Sequence, residues 1–161
     1  MKKTLCLYYT RTNTTKDAME HLADLLGGDT AEYTDGKNRS GLLGYIGCCF
    51  ASEKKVLPNL RITSGVDLSE YDRVVVGMPV WAERPCVMGK AFLTKFSAQL
   101  PDEVYLLVTH SGKNDYEKKI NQLDECLASP HKAHLSLRTK ENDQKNQEII
   151  AFAEKIQAAE D

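Results

Sequence analysis

Apolar, β-prone runs alternate with stretches of helical spacing along nearly the whole chain, and few architectures accept that alternation. Strand, helix and strand in succession pack as a parallel sheet with helices on both faces. Residues 3–9 form the first apolar run, and residues 15–26 follow with Ala18, Met19, Leu22, Ala23, Leu25 and Leu26 at helical spacing. Gly27-Gly28 ends that helix, and a short second strand spans 29–34. Residues 73–78 are continuously apolar rather than alternating, as in a central strand buried on both faces. A helix over 86–98 starts behind Pro85, and a strand covers 103–109. A helix over 115–128 carries the stripe Tyr116, Ile120, Leu123 and Leu127; a strand at 133–138 and a helix at 141–158 complete the chain. Five strands and about five helices, joined by right-handed crossovers, make a three-layer α/β/α sandwich.

One segment departs from the pattern. Residues 35–72 separate the second and third strands by far more than an ordinary connection. After the polar turn Asp35-Gly36-Lys37-Asn38, Arg39 to Lys55 reads as a helix rich in glycine and small residues. Such an insertion serves either as a lid or partner surface, or as packing over the sheet, and it leaves a homodimer open. With this insertion included, the 161 residues are expected to form a single domain.

Charge and cysteine content exclude several classes. A net charge of −2 lacks the basic face of a nucleic-acid binder. The apolar run after Lys2-Lys3 is too short for a secretory signal. Leu42 to Phe50 is broken by glycines and far short of a membrane span, so no membrane association and a cytoplasmic location are expected. Five cysteines without a CxxC or Cys/His spacing argue for reduced thiols and no metal site, although Cys48-Cys49 is a vicinal pair.

In an open parallel sheet, ligands bind beyond the carboxyl ends of the strands. Three loops lie there. Thr10-Arg11-Thr12-Asn13-Thr14-Thr15 brings four hydroxyls to a helix N-terminus, where amide N–H groups and the helix dipole attract a phosphate. Without a Walker lysine or GxGxxG, a lone phosphate monoester suits it better than a triphosphate or a dinucleotide. The competing reading is a capping box of Thr14 with Asp17. Pro79-Val80-Trp81-Ala82-Glu83-Arg84-Pro85 holds the single tryptophan between prolines, placed either to stack on a planar ring or to fold onto the domain edge. Thr109-His110-Ser111-Gly112-Lys113-Asn114-Asp115 carries Gly112 and Asn114, which permit positive φ; Asn114 with Glu117 is also a candidate helix cap, and His110 a candidate turn residue.

Together these residues resemble the flavodoxin-like family. Its first loop runs Thr/Ser-x-Thr-Gly-x-Thr; Thr10, Thr12 and Thr15 fall in register, and Asn13 replaces the glycine. Asn tolerates the left-handed conformation better than most residues. Asp72 to Trp81 is similar to the family's third strand and ring-stacking loop, and Thr109-His110-Ser111-Gly112 resembles the third loop of its NAD(P)H-oxidoreductase-like members. The resemblance covers residues 3–138 and implies a five-stranded parallel sheet of order 2-1-3-4-5 with non-covalent FMN. It implies that Thr10 to Thr15 bind the phosphate, that Pro79, Val80, Trp81 and Ala82 flank one ring face, and that Thr109 to Gly112 meet the pyrimidine edge.

The expected function is electron transfer by FMN, with no side chain needed as acid or base. It takes one of two forms: an oxidoreductase acting on a quinone or another small acceptor, or a carrier that docks a redox partner protein. Small carriers of the family are strongly acidic, unlike this chain. His110, Lys113 and Arg84 lie in the loops expected to flank the ring, which points to a flavin that accepts electrons more readily than that of a low-potential shuttle. A phospho-acceptor domain would need carboxylates where Tyr9-Thr10 and Gly77-Met78 stand. A cysteine hydrolase would rely on Cys86 at a helix start, away from the phosphate-type loop.

Overall fold

The computed structural model describes residues 2–44, 46–47, 57–140 and 142–159. Parallel strands β1 (Thr4–Tyr8), β2 (Asp29–Thr34), β4 (Arg73–Trp81), β6 (Glu103–His110) and β7 (Ala133–Arg138) lie in the order β2-β1-β4-β6-β7. For the five strands expected from the sequence, that is 2-1-3-4-5. Two short antiparallel additions bring the sheet to seven strands: β3 (Arg61–Ile62) on β2 and β5 (Arg84–Pro85) on β4.

The central strands are apolar throughout because both faces are covered. Leu5, Leu7, Val74, Val76, Met78, Leu106 and Val108 face one hydrophobic cluster; Cys6, Val75, Tyr105 and Leu107 face the other. On the second face pack α1 (Thr14–Leu26), through Ala18, Met19 and Leu22, and α4 (Asn142–Ala158), through Ile149, Phe152 and Ile156. The first face takes α2 (Val87–Phe96), α3 (Glu117–Asn121) and part of the insertion. Gly77 lets α1 sit close to β4, since a Cβ there would lie 2.6 Å from the Met19 Sδ.

Arg73, 1% exposed, is an exception to the apolar interior. Its Nε donates to the Thr4 Oγ1 at 2.6 Å and an Nη to the Ile156 carbonyl at 3.1 Å, tying β4, β1 and α4 together. At the β7 edge of the sheet, a chain of hydrogen bonds runs from Asp124 to His131 (2.5 Å), His134 (2.8 Å) and Glu117 (2.8 Å), fastening the α3 region to β7.

Several sequence expectations need correction. The strand expected at 73–78 continues to Trp81, so part of the supposed second loop is sheet. The helix expected over 115–128 is only α3, followed by a 3-10 segment, Gln122–Cys126; Ile120, Leu123 and Cys126 recur every third residue, the 3-10 period. In the insertion, Leu57, Leu60, Ile62, Leu68 and Tyr71 pack into the core, whereas Leu42 and Leu43 are exposed. Helical backbone occupies residues 41–44 and 46–47, but most of the Arg39–Lys55 helix and the Cys48-Cys49 pair fall outside the described residues. Among the described residues, no helix is long and apolar enough to cross a membrane.

Candidate functional site

The three loops meet where β1, β4 and β6 end. There a cavity of about 200 Å³ is lined by Thr10, Arg11, Thr12, Thr14 and Thr15 from the first loop. Pro79, Val80 and Trp81 line it from β4, and Thr109, His110 and Ser111 from the third. Asn13, Ala82 and Gly112 shape the surrounding backbone instead. Thr139, just beyond β7, also lines the cavity; its amide and hydroxyl donate to the His110 carbonyl. Sequence reading missed it because no motif marks that position.

Asn13 adopts the left-handed conformation (φ 65°) expected of the residue that replaces glycine. It is the N-cap of α1, and its side chain makes no capping hydrogen bond. Thr14 is already helical, so the Thr14–Asp17 capping box does not form. The first-turn amides of α1 therefore remain available at the positive end of the helix. The Thr15 and Thr109 hydroxyls bond each other at 2.7 Å, joining the first and third loops, and Thr12 and Thr14 lie 3.4 Å apart. The Thr10 Oγ1 is buried without a hydrogen-bond partner. Such a group is costly unless a ligand completes it. A phosphate beside the α1 N-terminus fits this donor set.

Trp81 is 4% exposed and meets Tyr9 edge-on, with ring centroids 5.4 Å apart. Over its ring lies the Arg39 guanidinium, 5.9 Å from the centroid. Asp35 holds Arg39 through two hydrogen bonds of 2.7 and 2.6 Å. This pair brings the segment after β2 to the site, a link with no local signature in sequence. Burial raises the Asp35 carboxyl, but hydrogen bonds from Arg39 and the Lys37 amide, with the charges of both residues, leave it below its ordinary value. Such a carboxyl stabilises the fold above its unfolded value of about 4, and the contribution fades as pH falls through the folded value. Stability should therefore drop more steeply below about pH 5 in wild type than in Asp35→Asn, as read from denaturant midpoints at each pH.

After Trp81 the chain reverses in two residues, and Trp81 pairs with Arg84. Ala82 (φ 48°) and Glu83 (φ 61°) are both left-handed, a conformation that costs a non-glycine residue about 1–2 kcal/mol. The turn is held to the third loop. The Glu83 carboxylate accepts from the Asn114 amide and from the Tyr116 hydroxyl (3.2 Å), and the Lys119 ammonium donates to the Glu83 carbonyl. Burial raises the Tyr116 phenol above its ordinary value, and the Glu83 charge adds to the effect.

The third loop differs from expectation in three ways. Positive φ falls elsewhere, and Gly112 is needed for space: its Cβ would lie 2.6 Å from the Tyr116 Oη. The N-cap of α3 is Tyr116; Asp115, just before it, accepts from the Glu117 amide at 2.8 Å, while Asn114 turns to Glu83. His110 is engaged at both nitrogens, with the Gly112 carbonyl (3.2 Å) and the Ser136 hydroxyl (3.1 Å). A carbonyl only accepts, so in the neutral ring Nδ1 carries the hydrogen and Nε2 accepts from Ser136. Gly112→Ala should push buried Tyr116 off Glu83 and destabilise the protein by about 1–3 kcal/mol in denaturant unfolding.

Of the three residues expected beside the ring, His110 lines the cavity and the other two do not. Arg84 lines a separate groove of about 410 Å³ with Lys90 and Lys119, and Lys113 does not line the 200 Å³ cavity. A larger cavity of about 870 Å³ opens beside Asp35, Arg39, Leu43, Pro58 and Val87. Arg39, which lines it, lies over the ring of Trp81, which lines the smaller cavity. Cys86 is fully buried at the start of α2, out of reach of a substrate.

No protein-family model and no curated protein sequence matches the chain. Solved structures do. A flavoprotein of Lactobacillus acidophilus NCFM in complex with FMN superposes with a TM-score of 0.69 at 22% identity, covering 90% of this chain and 99% of that one. A protein of Bacteroides eggerthii gives 0.77 at 19%, covering 97% and 98%. A flavodoxin, WrbA-like protein of Agrobacterium tumefaciens gives 0.61 at 11%, covering 97% and 95%.

Proposed function

We propose that this chain, which has the flavodoxin-like fold, binds FMN non-covalently at the ends of β1, β4 and β6 and transfers electrons through it. The observation that carries this reading is the Thr10 hydroxyl, buried and unpartnered in a cavity at the open N-terminus of α1. Thr10, Thr12 and the first-turn amides of α1 would hold the phosphate, while Pro79 to Trp81 and Thr109 to Ser111 would flank the ring. The Lactobacillus acidophilus protein of the same fold, which carries FMN, supports the choice of ligand. Bound FMN supplies one- and two-electron chemistry, and the protein supplies binding, orientation and field. Addition of FMN to the purified protein should shift the flavin absorption bands and quench Trp81 fluorescence; unchanged spectra with excess FMN would rule the reading out.

The 870 Å³ cavity favours an oxidoreductase over a simple carrier. A carrier needs only an exposed ring edge, whereas a quinone or similar small acceptor needs a pocket of this kind beside the ring. Steady-state oxidation of NAD(P)H with a quinone acceptor separates the two forms, because a carrier alone turns over little of either.

A further inference from the structure

We propose that Glu83 is a positioning residue of the cofactor site, bracing the turn after β4 against the loop after β6 and so setting the gap between the two walls that would flank the flavin. The proposal rests on the FMN reading and assigns a residue outside the cavity lining. Two left-handed non-glycine residues in succession, Ala82 and Glu83, have no local reason to stay in that turn. Asn-Gly or Asp-Gly would hold it by backbone preference; here the restraint must come from contacts. Three donors converge on Glu83, all from the segment after β6: Asn114 and Tyr116 on the carboxylate, Lys119 on the carbonyl. Tyr116 is itself fixed, 2% exposed and packed on the His110 ring at 4.7 Å, and His110 is anchored to Ser136 of β7. The strained turn is thus tied through a chain of side chains to a strand of the sheet. Trp81, one residue before the turn, and His110, inside the brace, both line the cavity.

The carboxylate contributes as an acceptor. Both side-chain donors meet the same oxygen, so a carboxamide oxygen can replace it, and the Lys119 bond to the backbone survives any substitution at 83. The test compares wild type, Glu83→Ala and Glu83→Gln in two measurements: amide hydrogen exchange at residues 82–84 in ligand-free protein, and FMN titration. Glu83→Ala should speed exchange and weaken FMN binding by about tenfold each, while Glu83→Gln stays within about threefold of wild type in both. Asn114→Ala added to Glu83→Ala should cost little more than Glu83→Ala alone, since both remove one contact. Unchanged exchange in Glu83→Ala overturns the brace whatever the flavin does. Faster exchange with unaltered FMN affinity overturns the positioning role, as does a Glu83→Gln variant as weak as Glu83→Ala. Wild-type protein that binds no FMN defeats the functional reading separately, and the exchange result still judges the brace.

Discussion

Valine in place of Thr10 is expected to weaken FMN binding by about 10- to 100-fold while leaving the ligand-free protein as stable as wild type or slightly more so. The opposite signs are what make the result informative. In the ligand-free chain the Thr10 Oγ1 is buried with no partner, so removing it relieves a desolvation cost. With the phosphate present, the same hydroxyl donates to an anion, and hydrogen bonds to charged groups contribute about 1.5–3 kcal/mol. Thr12 is exposed and paired with Thr14, so Thr12→Val should weaken binding less. Fluorescence titration and thermal unfolding without ligand check both halves. A hydroxyl that served only the fold would lower stability and leave affinity untouched.

The largest loss of stability is expected from Arg73→Ala, about 3–5 kcal/mol. Arg73 is the largest of the fully buried side chains; truncation takes the donor from the Ile156 carbonyl and leaves the Thr4 hydroxyl with only its own 3.3 Å bond to the Lys2 carbonyl. The void left behind adds to the loss, because neighbouring strands cannot collapse into it. At this chain length the melting temperature should fall by about 10 °C. Lysine is a poor substitute, since one ammonium cannot serve two acceptors in the directions the guanidinium fork reaches. Burial pushes the nearby Cys6 thiol up to about 12, and the Arg73 charge opposes that shift, so Arg73→Ala should leave the thiol still less reactive.

The parallel core was legible because its signal is dense. Val74, Val75 and Val76 alternate between two hydrophobic clusters, and a strand apolar on both sides has few other uses. Asn13 was legible for the same kind of reason, as one of the few residue types that tolerates the backbone its position demands. The hairpin at Trp81–Arg84 was not. Its turn is Ala-Glu rather than Asn-Gly, and its second strand is two residues long, too short for any period. The bland readings also needed the structure: the N-cap positions fall to Asn13 and Tyr116 rather than to Thr14 and Asn114, and Asp115 receives the Glu117 amide. Glu83 with Asn114 and Arg39 with Trp81 are contacts across 31 and 42 residues of chain, and composition near either partner says nothing of the other.

The Thr15–Thr109 hydroxyl pair joins positions 94 residues apart. On the FMN reading, the grip on the phosphate would be completed only after β6 has docked beside β4. A nascent chain that ends before Thr109 lacks one of the three walls, so FMN would enter a nearly finished domain and would not template its early folding. Supplying FMN during synthesis would protect the completed product without hastening its assembly.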